Sequence, residues 1–385
     1  MPKLKKVILL IETSREYGRG ILLGIAKYAR IYGPWVFYEE PGGKEISMPK
    51  LGNWGANGII ARISDNSYIN KINPNHIPMI VLPGIEPIPN VPNIMEDSSA
   101  TGFLVAKHLL DRGFQNFAFC GFDEYIWSQK RGQGFKQSLS EAGFEISFYR
   151  QPKSKTKCLW QNEQLVLAAW LKSLPKPVGV MACNDVRAKH VIEACKTANI
   201  KIPDQVAVIG VDDDKILCEL SFPPLSSVAF NTEKAGYEAA EMLDKLMTGR
   251  KISDQTIIVH PQQIVTRQST DILAVEDKEV ADALRFIREN SNRPLRVSDV
   301  AEAAAVYRRG LERKFRKILN RSVYDEINKT RLNYVAKLLI ETNLGLKKIA
   351  MIAGYPSVKQ MSRSFKKEKK MSPLKYRQIY GRHYL

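Results

Sequence analysis

No two cysteines in this chain stand at CxxC spacing. The five, Cys120, Cys158, Cys183, Cys195 and Cys218, are odd in number and scattered. That excludes a zinc ribbon and a dithiol redox motif, and is what buried, reduced thiols of a cytoplasmic protein would leave. Long apolar runs are missing too: none approaches the roughly 18 residues of a membrane span. The start, MPKLKKVILLIET, sets Lys3, Lys5 and Lys6 before an apolar run. That run stops at Glu12 without a small-residue cleavage site, so a buried first strand is expected, not a secretory signal. Histidine is scarce (His76, His108, His190, His260, His383), and HExxH, GxSxG and P-loop strings are absent. No catalytic residue, metal or cofactor is therefore expected. Acidic residues thin out toward the C-terminus. From Lys278 to Leu385 there are 26 Lys and Arg against 10 Asp and Glu, whereas the preceding residues carry 32 against 30. The net charge of +18 thus belongs almost wholly to the last quarter, which calls for a polyanionic partner there and not a membrane.

That last quarter has a regular plan. VSDVAEAAAVYRRGLERKFRKI and LKKIAMIAGYPSVKQMSRSFKK each read as an apolar helix, a break and a basic helix. The second helix of each keeps one apolar face, Leu311 and Phe315 in one copy, Met361 and Phe365 in the other. This is a helix-turn-helix written twice. If those apolar residues face inward, Arg308, Arg309 and Arg313, and then Ser357, Lys359, Gln360 and Arg363, face outward. Arg and Gln there can pair with guanine and adenine edges, while Lys314, Lys317, Lys366 and Lys367 suit phosphates. Tyr324 to Glu341 reads as one helix of roughly 25 Å. With its turns it can hold the basic helices about one DNA turn, near 34 Å, apart.

The rest, residues 1–270, alternates apolar runs with amphipathic helices. Val7–Ile11, Val36–Tyr38, Gly58–Ala61, Met79–Leu82, Phe117–Cys120, Val178–Ala182 and Val206–Val211 are continuous apolar segments, as parallel strands buried on both faces should be. Helices are expected over Gly20–Tyr32, Ser98–Arg112, Arg131–Ala142, Gln161–Ser173 and Asp185–Ala198. The alternation predicts a doubly wound α/β architecture, and its length predicts two lobes. Residues 271–278 form a polar linker, and 279–385 the basic all-α domain.

Polar and aromatic residues collect beyond the strand ends, where ligands bind in such folds. Tyr17 and Arg19 follow the first strand; Glu96 and Asp97 precede a helix; Trp127 and Arg131, Asn184 and Asp185, and Asp212 to Asp214 follow others. Ser98 and Asp185 also suit helix caps. Planar groups that give and accept paired hydrogen bonds match the vicinal hydroxyls of a sugar, and aromatic faces cover its ring. Gly18, Gly20 and Gly24 imitate a dinucleotide fingerprint, but six residues, Glu12 to Tyr17, separate them from the strand, so no nicotinamide site is expected.

The C-terminal stretch resembles the AraC/XylS family of transcription regulators. The residues that carry it are Leu311, Arg313 and Phe315; Arg331, Ala336, Leu338 and Leu339; and Ile349-Ala350, Gly354-Tyr355, Ser362-Arg363, Phe365-Lys366-Lys367, Ser372-Pro373 and Tyr376-Arg377. Tyr307 stands where that family has a capping Ser, and Lys370 where it has Gly. The first 270 residues resemble the LacI/periplasmic sugar-binding fold through ACNDVRAKH, VIGVDDD, PPLSSVAFNTEKAGYEAAEML and the Trp127/Arg131 pair. The resemblance implies ligand contacts from Asp97, Arg131, Asn184 and Asp212, with Asp185 a further one. It also implies a sugar-responsive activator whose effector is a pentose, D-xylose, acting as a homodimer on double-stranded operator DNA and on RNA polymerase. A sensor of another sugar is the alternative. A free sugar-binding transport protein would lack the basic quarter. A sugar-converting enzyme would need an acid/base pair such as Asp212 and Asp213.

Overall fold

The computed structural model describes residues 4–40, 55–63, 69–73, 75–83, 87–152, 160–250, 256–272, 277–291 and 293–381. Cys158, His383 and positions 273–276 of the expected linker lie outside them. The chain begins with β1 (Lys5–Leu10), α1 (Glu16–Tyr32), β2 (Trp35–Glu40), β3 (Gly58–Ile63), α2 (Ile69–Ile72), β4 (Met79–Pro83) and β5 (Asn93–Glu96), which build a first lobe. At Asp97 it passes into a second. That lobe holds α3 (Ser98–Leu110), β6 (Asn116–Cys120), α4 (Ile126–Glu141), β7 (Ile146–Phe148), α5 (Trp160–Ser173), β8 (Val178–Ala182), α6 (Asp185–Thr197), β9 (Val206–Val211), α7 (Lys215–Leu220) and β10 (Ser226–Phe230). At Asn231 the chain returns to the first lobe with α8 (Thr232–Met247) and β11 (Thr256–Val259). At His260 it crosses a third time, into β12 (Pro261–Val265).

Each lobe has one six-stranded sheet, in the orders β11-β5-β4-β3-β1-β2 and β12-β10-β9-β8-β6-β7. All pairings are parallel except β10 with β12. The expected two-lobed, mostly parallel α/β fold is what forms. Strands β8 and β9 are buried along their whole length, which is why they read as unbroken apolar runs. The short β5, β7, β11 and β12 carry polar residues and gave no such run. Cys120, Cys183, Cys195 and Cys218 are free and buried, as expected.

Two sequence expectations need correction. The helix caps stand one residue earlier than Ser98 and Asp185: the Asp97 side chain accepts from Ala100 N and that of Asn184 from Arg187 N. Both are acceptors in non-helical backbone, placed to satisfy an N–H of the first turn. The glycines of the false fingerprint pack α1 onto α8. A Cβ on Gly24 would stand 1.9 Å from the Glu233 carbonyl oxygen, and one on Gly20 would stand 1.9 Å from Thr232 Oγ1. Gly236 on α8 makes the reciprocal approach, 2.0 Å from the Ile21 carbonyl oxygen.

The remaining helices are α9 (Lys278–Glu289), α10 (Val297–Ala303), α11 (Arg308–Leu319), α12 (Val323–Glu341), α13 (Leu346–Ile352), α14 (Val358–Lys369) and α15 (Pro373–Tyr380). They close two small cores. Leu311 and Phe315 seal one against α9, α10 and the start of α12. Met361 and Phe365 seal the other against α13 and the second half of α12. The two units repeat in detail: both basic helices have 12 residues and end on a left-handed residue, Asn320 (φ 51°) or Lys370 (φ 59°). The turn that a glycine would ease is therefore made with Lys370 in its place.

Replacing Gly24 by Ala should push α1 off α8 and destabilise the chain by about 1–3 kcal/mol. Urea unfolding of the full chain measures it, and an unchanged midpoint would remove the close-packing account.

Candidate functional site

The strand ends of both lobes converge on the Arg131 guanidinium. Arg131 lies in the second turn of α4 and is 3% exposed. Its Nε donates to Glu96 Oε1 and Oε2 at 2.9 and 3.0 Å, and its Nη2 donates to Asp212 Oδ1 at 3.0 Å. Nη1 donates to the Cys183 carbonyl, fixing the plane of the fork. Glu96 ends β5 in the first lobe and Asp212 follows β9 in the second, so one cation ties the two sheets. Burial opposes its charge, yet Glu96 and Asp212 outweigh that and raise its pKa beyond the usual arginine range. Asp212 is also shifted upward, because burial outweighs the stabilising Arg131.

Aromatic rings line the same place. Arg131 Cζ lies 5.1 Å from the Trp127 ring centre and 5.6 Å from that of Phe230. Tyr17, at the start of α1, meets Phe230 edge-on at 5.9 Å, and Tyr125 stacks on Trp127 at 5.5 Å. Burial, then the Glu96 charge, pushes the Tyr17 phenol far above its usual pKa, so it is neutral and can donate. The backbone is strained where it aims Asp212: φ is 107° there and 49° at Asp213. Such φ values are rare outside glycine and accumulate at binding sites. Here Asp212 N donates to Val228 O at 2.9 Å and Asp213 N to Ser227 Oγ at 3.0 Å, which holds the turn.

Of the residues expected from sequence, the fold therefore gathers Tyr17, Trp127, Arg131 and Asp212. Asn184 follows Cys183, whose carbonyl Arg131 holds, and caps α6. The other three have different surroundings. Asp97 Oδ2 faces His260 Nδ1 at 3.1 Å while Oδ1 caps α3. Asp185 is 2% exposed and accepts from Ser227 Oγ and, at 2.7 Å, from Asp214 N. Burial and then Asp212 raise its pKa well above the carboxylate range. Arg19 reaches from α1 to Asp214 Oδ2 at 2.9 Å, an ion pair that bridges the lobes. Glu96, the partner of Arg131 from the first lobe, stood outside the ligand set drawn from sequence. Its signal was position alone, the last residue of a polar, short strand.

Beneath the cleft, Arg187 is fully buried and donates to Glu163 Oε1 at 2.6 Å. Its guanidinium covers Phe122 at 4.8 Å and Tyr149 at 5.2 Å. Burial would raise the Glu163 pKa, but the Arg187 hydrogen bond and charge bring it below normal.

The second surface is on the C-terminal helices. Leu311, Phe315, Met361 and Phe365 are fully buried, so Arg308, Arg309 and Arg313, and Ser357, Lys359, Gln360 and Arg363, point to solvent. A recess of about 570 Å³ on α11 is lined by Arg308, Arg309, Glu312, Arg313 and Arg316. Ser357 caps α14 by accepting from Gln360 N, whereas Tyr307 makes no side-chain cap and is 92% exposed. Lys314 differs from the others: its Nζ is 2.7 Å from both Asp277 Oδ2 and Glu279 Oε2, a pair that a phosphate would have to displace. The 19 residues of α12 span about 28 Å between the two units.

Residues 106–270 match the family of periplasmic binding protein-like domains, and residues 300–379 match a helix-turn-helix domain family. The xylose operon regulatory protein of Haemophilus influenzae is 30% identical over 381 residues, covering 97% of this chain and 98% of that protein. The chain belongs to the xylose operon regulatory protein family. The Escherichia coli K12 member is 29% identical, with 98% of both chains covered. The solved structure of the xylose-binding transcription activator xylR superimposes with a TM-score of 0.62 at 28% identity, over 99% of this chain and 100% of that one. Both components of the expected architecture, the two-lobed α/β part and the double helix-turn-helix, are those of the family. No helix among the described residues is long and apolar enough to cross a membrane.

Arg187→Met should destabilise the chain by about 3–5 kcal/mol, because Glu163 would remain buried without its cation. Chemical denaturation reads this, and a loss under 1 kcal/mol (about the worth of an exposed pair) would show that the pair is not buried in solution.

Proposed function

We propose that this chain is a sugar-responsive transcription activator, with D-xylose bound between its lobes and double-stranded operator DNA read by α11 and α14. The observation that carries the reading is the repeated basic helix. Arg313 and Arg363 hold the same place on α11 and α14, each two residues before the buried Phe and both exposed. A 28 Å connecting helix with its turns suits major grooves about one turn, near 34 Å, apart. Arg308, Arg309, Lys359, Gln360 and Ser357 complete the base-facing set, and Lys317, Lys366 and Lys367 meet phosphates.

In the cleft, Arg131, Asp212 and Glu96 supply paired donors and acceptors for vicinal hydroxyls. Tyr17, Trp127 and Phe230 cover the ring. Asn184 has its oxygen on the Arg187 amide, which leaves its Nδ2 group for the sugar. The ionic group joins one guanidinium to two carboxylates, with Arg62 close enough to lower the Asp212 pKa. A neutral polyol fits such a balanced site better than a sugar acid. Catalysis has no place in this reading. Asp212 turns to Arg131 and Asp213 to Arg267 at 2.9 Å, so the two carboxylates do not act as a pair. Residues 1–270 are the sensor, 271–278 the linker and 279–385 the reader. The regulator works in the cytoplasm as a homodimer that contacts RNA polymerase.

Calorimetry of the full chain against pentoses and hexoses tests the sensor. D-Xylose should bind, and Arg131→Lys should weaken it by about tenfold or more, since an ammonium cannot reproduce the fork. Xylose binding that survives Arg131→Lys undiminished would place the site elsewhere. DNA binding titrated against salt tests the reader. The affinity should fall steeply as counterions are released, and a flat salt response would sink the assignment. Arg363→Ala should cost about 1–3 kcal/mol on the preferred duplex and relax base preference at one position.

A further inference from the structure

The C-terminal helix α15 sits on the hinge. The three crossovers between lobes, at Asp97, Asn231 and His260, lie side by side. Asp97 N donates to Val259 O at 3.1 Å, and Asn231 N to His260 O at 3.5 Å. Asp97 and His260 also pair through their side chains. Onto this group α15 lays its last carbonyls. Asn231 Nδ2 donates to Gly381 O at 3.1 Å, Gln262 Nε2 to Tyr380 O at 2.8 Å, and Lys234 Nζ to Gln378 O at 2.7 Å. The Tyr380 ring meets the His260 ring at 5.8 Å. A helix leaves its final carbonyls without intrahelical partners and its C-terminus partially negative, so amide and ammonium donors are suited to that end. Here the donors come from the sensor and not from the helix's own unit.

The same C-terminal unit is fastened a second time, at the far end of α3. Asp111 pairs with Lys329 of α12, Arg288 Nη2 of α9 donates to the Asp111 carbonyl at 3.0 Å, and Lys107 stands 3.8 Å from Glu368 of α14. This anchor belongs wholly to the second lobe, because α3 packs on α4 and β12. The α15 anchor differs. Gln262 is on β12 of the second lobe, whereas Lys234 is on α8, which packs on α1 of the first. The unit is internally stiff at that point: Arg377 of α15 donates through Nε to Leu339 O of α12 at 3.3 Å, and through Nη2 to Leu344 O at 2.6 Å.

We infer that Lys234 and Gln262 are coupling residues: Gln262 seats α15 on the second lobe, Lys234 reaches it from the first only when the lobes are closed, and the pair so transmits sugar binding to the DNA-reading helices. A rigid unit held on one lobe by α3 can touch the other lobe at only one hinge angle. The structure shows that angle with Arg19 and Asp214 bridging the lobes. Opening the cleft carries Lys234 away from Gln378. The α15 contact then favours closure, and by linkage whatever fixes the reader tightens the sugar by the same factor. The inference rests on reading the cleft as the sugar site.

The test uses the full chain, D-xylose and a duplex recovered by in vitro selection on that chain. In the unaltered chain the duplex should tighten D-xylose binding by about five- to tenfold. Lys234→Ala with Gln262→Leu should abolish that increment and leave sugar-free DNA affinity unchanged, a separation that mere loss of structure would not give. Lys234→Ala alone, on an accessible side chain, should remove part of the increment and keeps the test open if the double variant folds poorly. An increment retained in full by these variants overturns the inference. If the unaltered chain binds no D-xylose, the sugar reading fails separately. Hydrogen exchange then decides the seating of α15: Gln262→Leu must expose the amides of 373–381 and 260–265 together, and unchanged protection in both rejects it.

Discussion

The buried Arg131 guanidinium is the constraint on which the two-lobed part depends. Removing one cation and two carboxylates from water is expensive, and well-packed apolar residues in their place would serve stability at least as well. The triad has a different use. Glu96 closes a strand of one sheet, Asp212 closes a strand of the other, and Arg131 holds both. Glu96 stands one residue before the first crossover, which makes hinge angle and ion geometry one variable. The strained φ at Asp212 belongs to the same compromise, since an unstrained turn there would aim the carboxylate elsewhere.

Around that triad each lobe is packed as a block. α1 and α8 approach so closely that Gly20, Gly24 and Gly236 have no room for a methyl group, which makes the first lobe's helical face a single block. The second lobe is stiffened from within by Arg187 and Glu163, whose charges are paired and covered by Phe122 and Tyr149. Among the described residues, three segments of chain pass between these blocks. Few backbone groups would have to change for the blocks to move relative to each other, and Glu96 and Arg131 stand beside them.

Much of this was legible in the sequence, for physical reasons that differ between elements. Strands β8 and β9 are buried on both faces and announce themselves as apolar runs. β11 and β12 could not, because Thr256 and Gln262 to Gln263 break the pattern and the strands owe their place to partners far away in sequence. Tyr17, Trp127, Arg131 and Asp212 come together because each follows a strand end, which is where the sequence placed them. The expected set held Asp97 and not Glu96, since two adjacent carboxylates look alike until the backbone shows which one caps the helix and which one meets Arg131. The glycine pattern near Gly20, set aside as a dinucleotide fingerprint on its spacing, still did not show what it is for, and the reason is related. Close approach of backbone to backbone and of backbone to phosphate both demand the absence of a side chain, and only the fold says which is meant.

In the C-terminal helices the repeated pattern was plain, because each small core needs its two large apolar residues on the basic helix and leaves the other face to solvent. What sequence could not show is how the pair is aimed. α12 fixes the distance between α11 and α14, so neither helix can adjust to DNA alone; they can only be presented together or not. Lys314 illustrates the consequence, since its pair with Asp277 and Glu279 holds α11 on α9, the helix that leads out of the linker. A reader whose internal spacing is fixed has one remaining degree of freedom, its orientation on the sensor. On the proposed reading, control over DNA then acts on the contacts between the two parts, at α3 and at α15, and not on the recognition helices themselves.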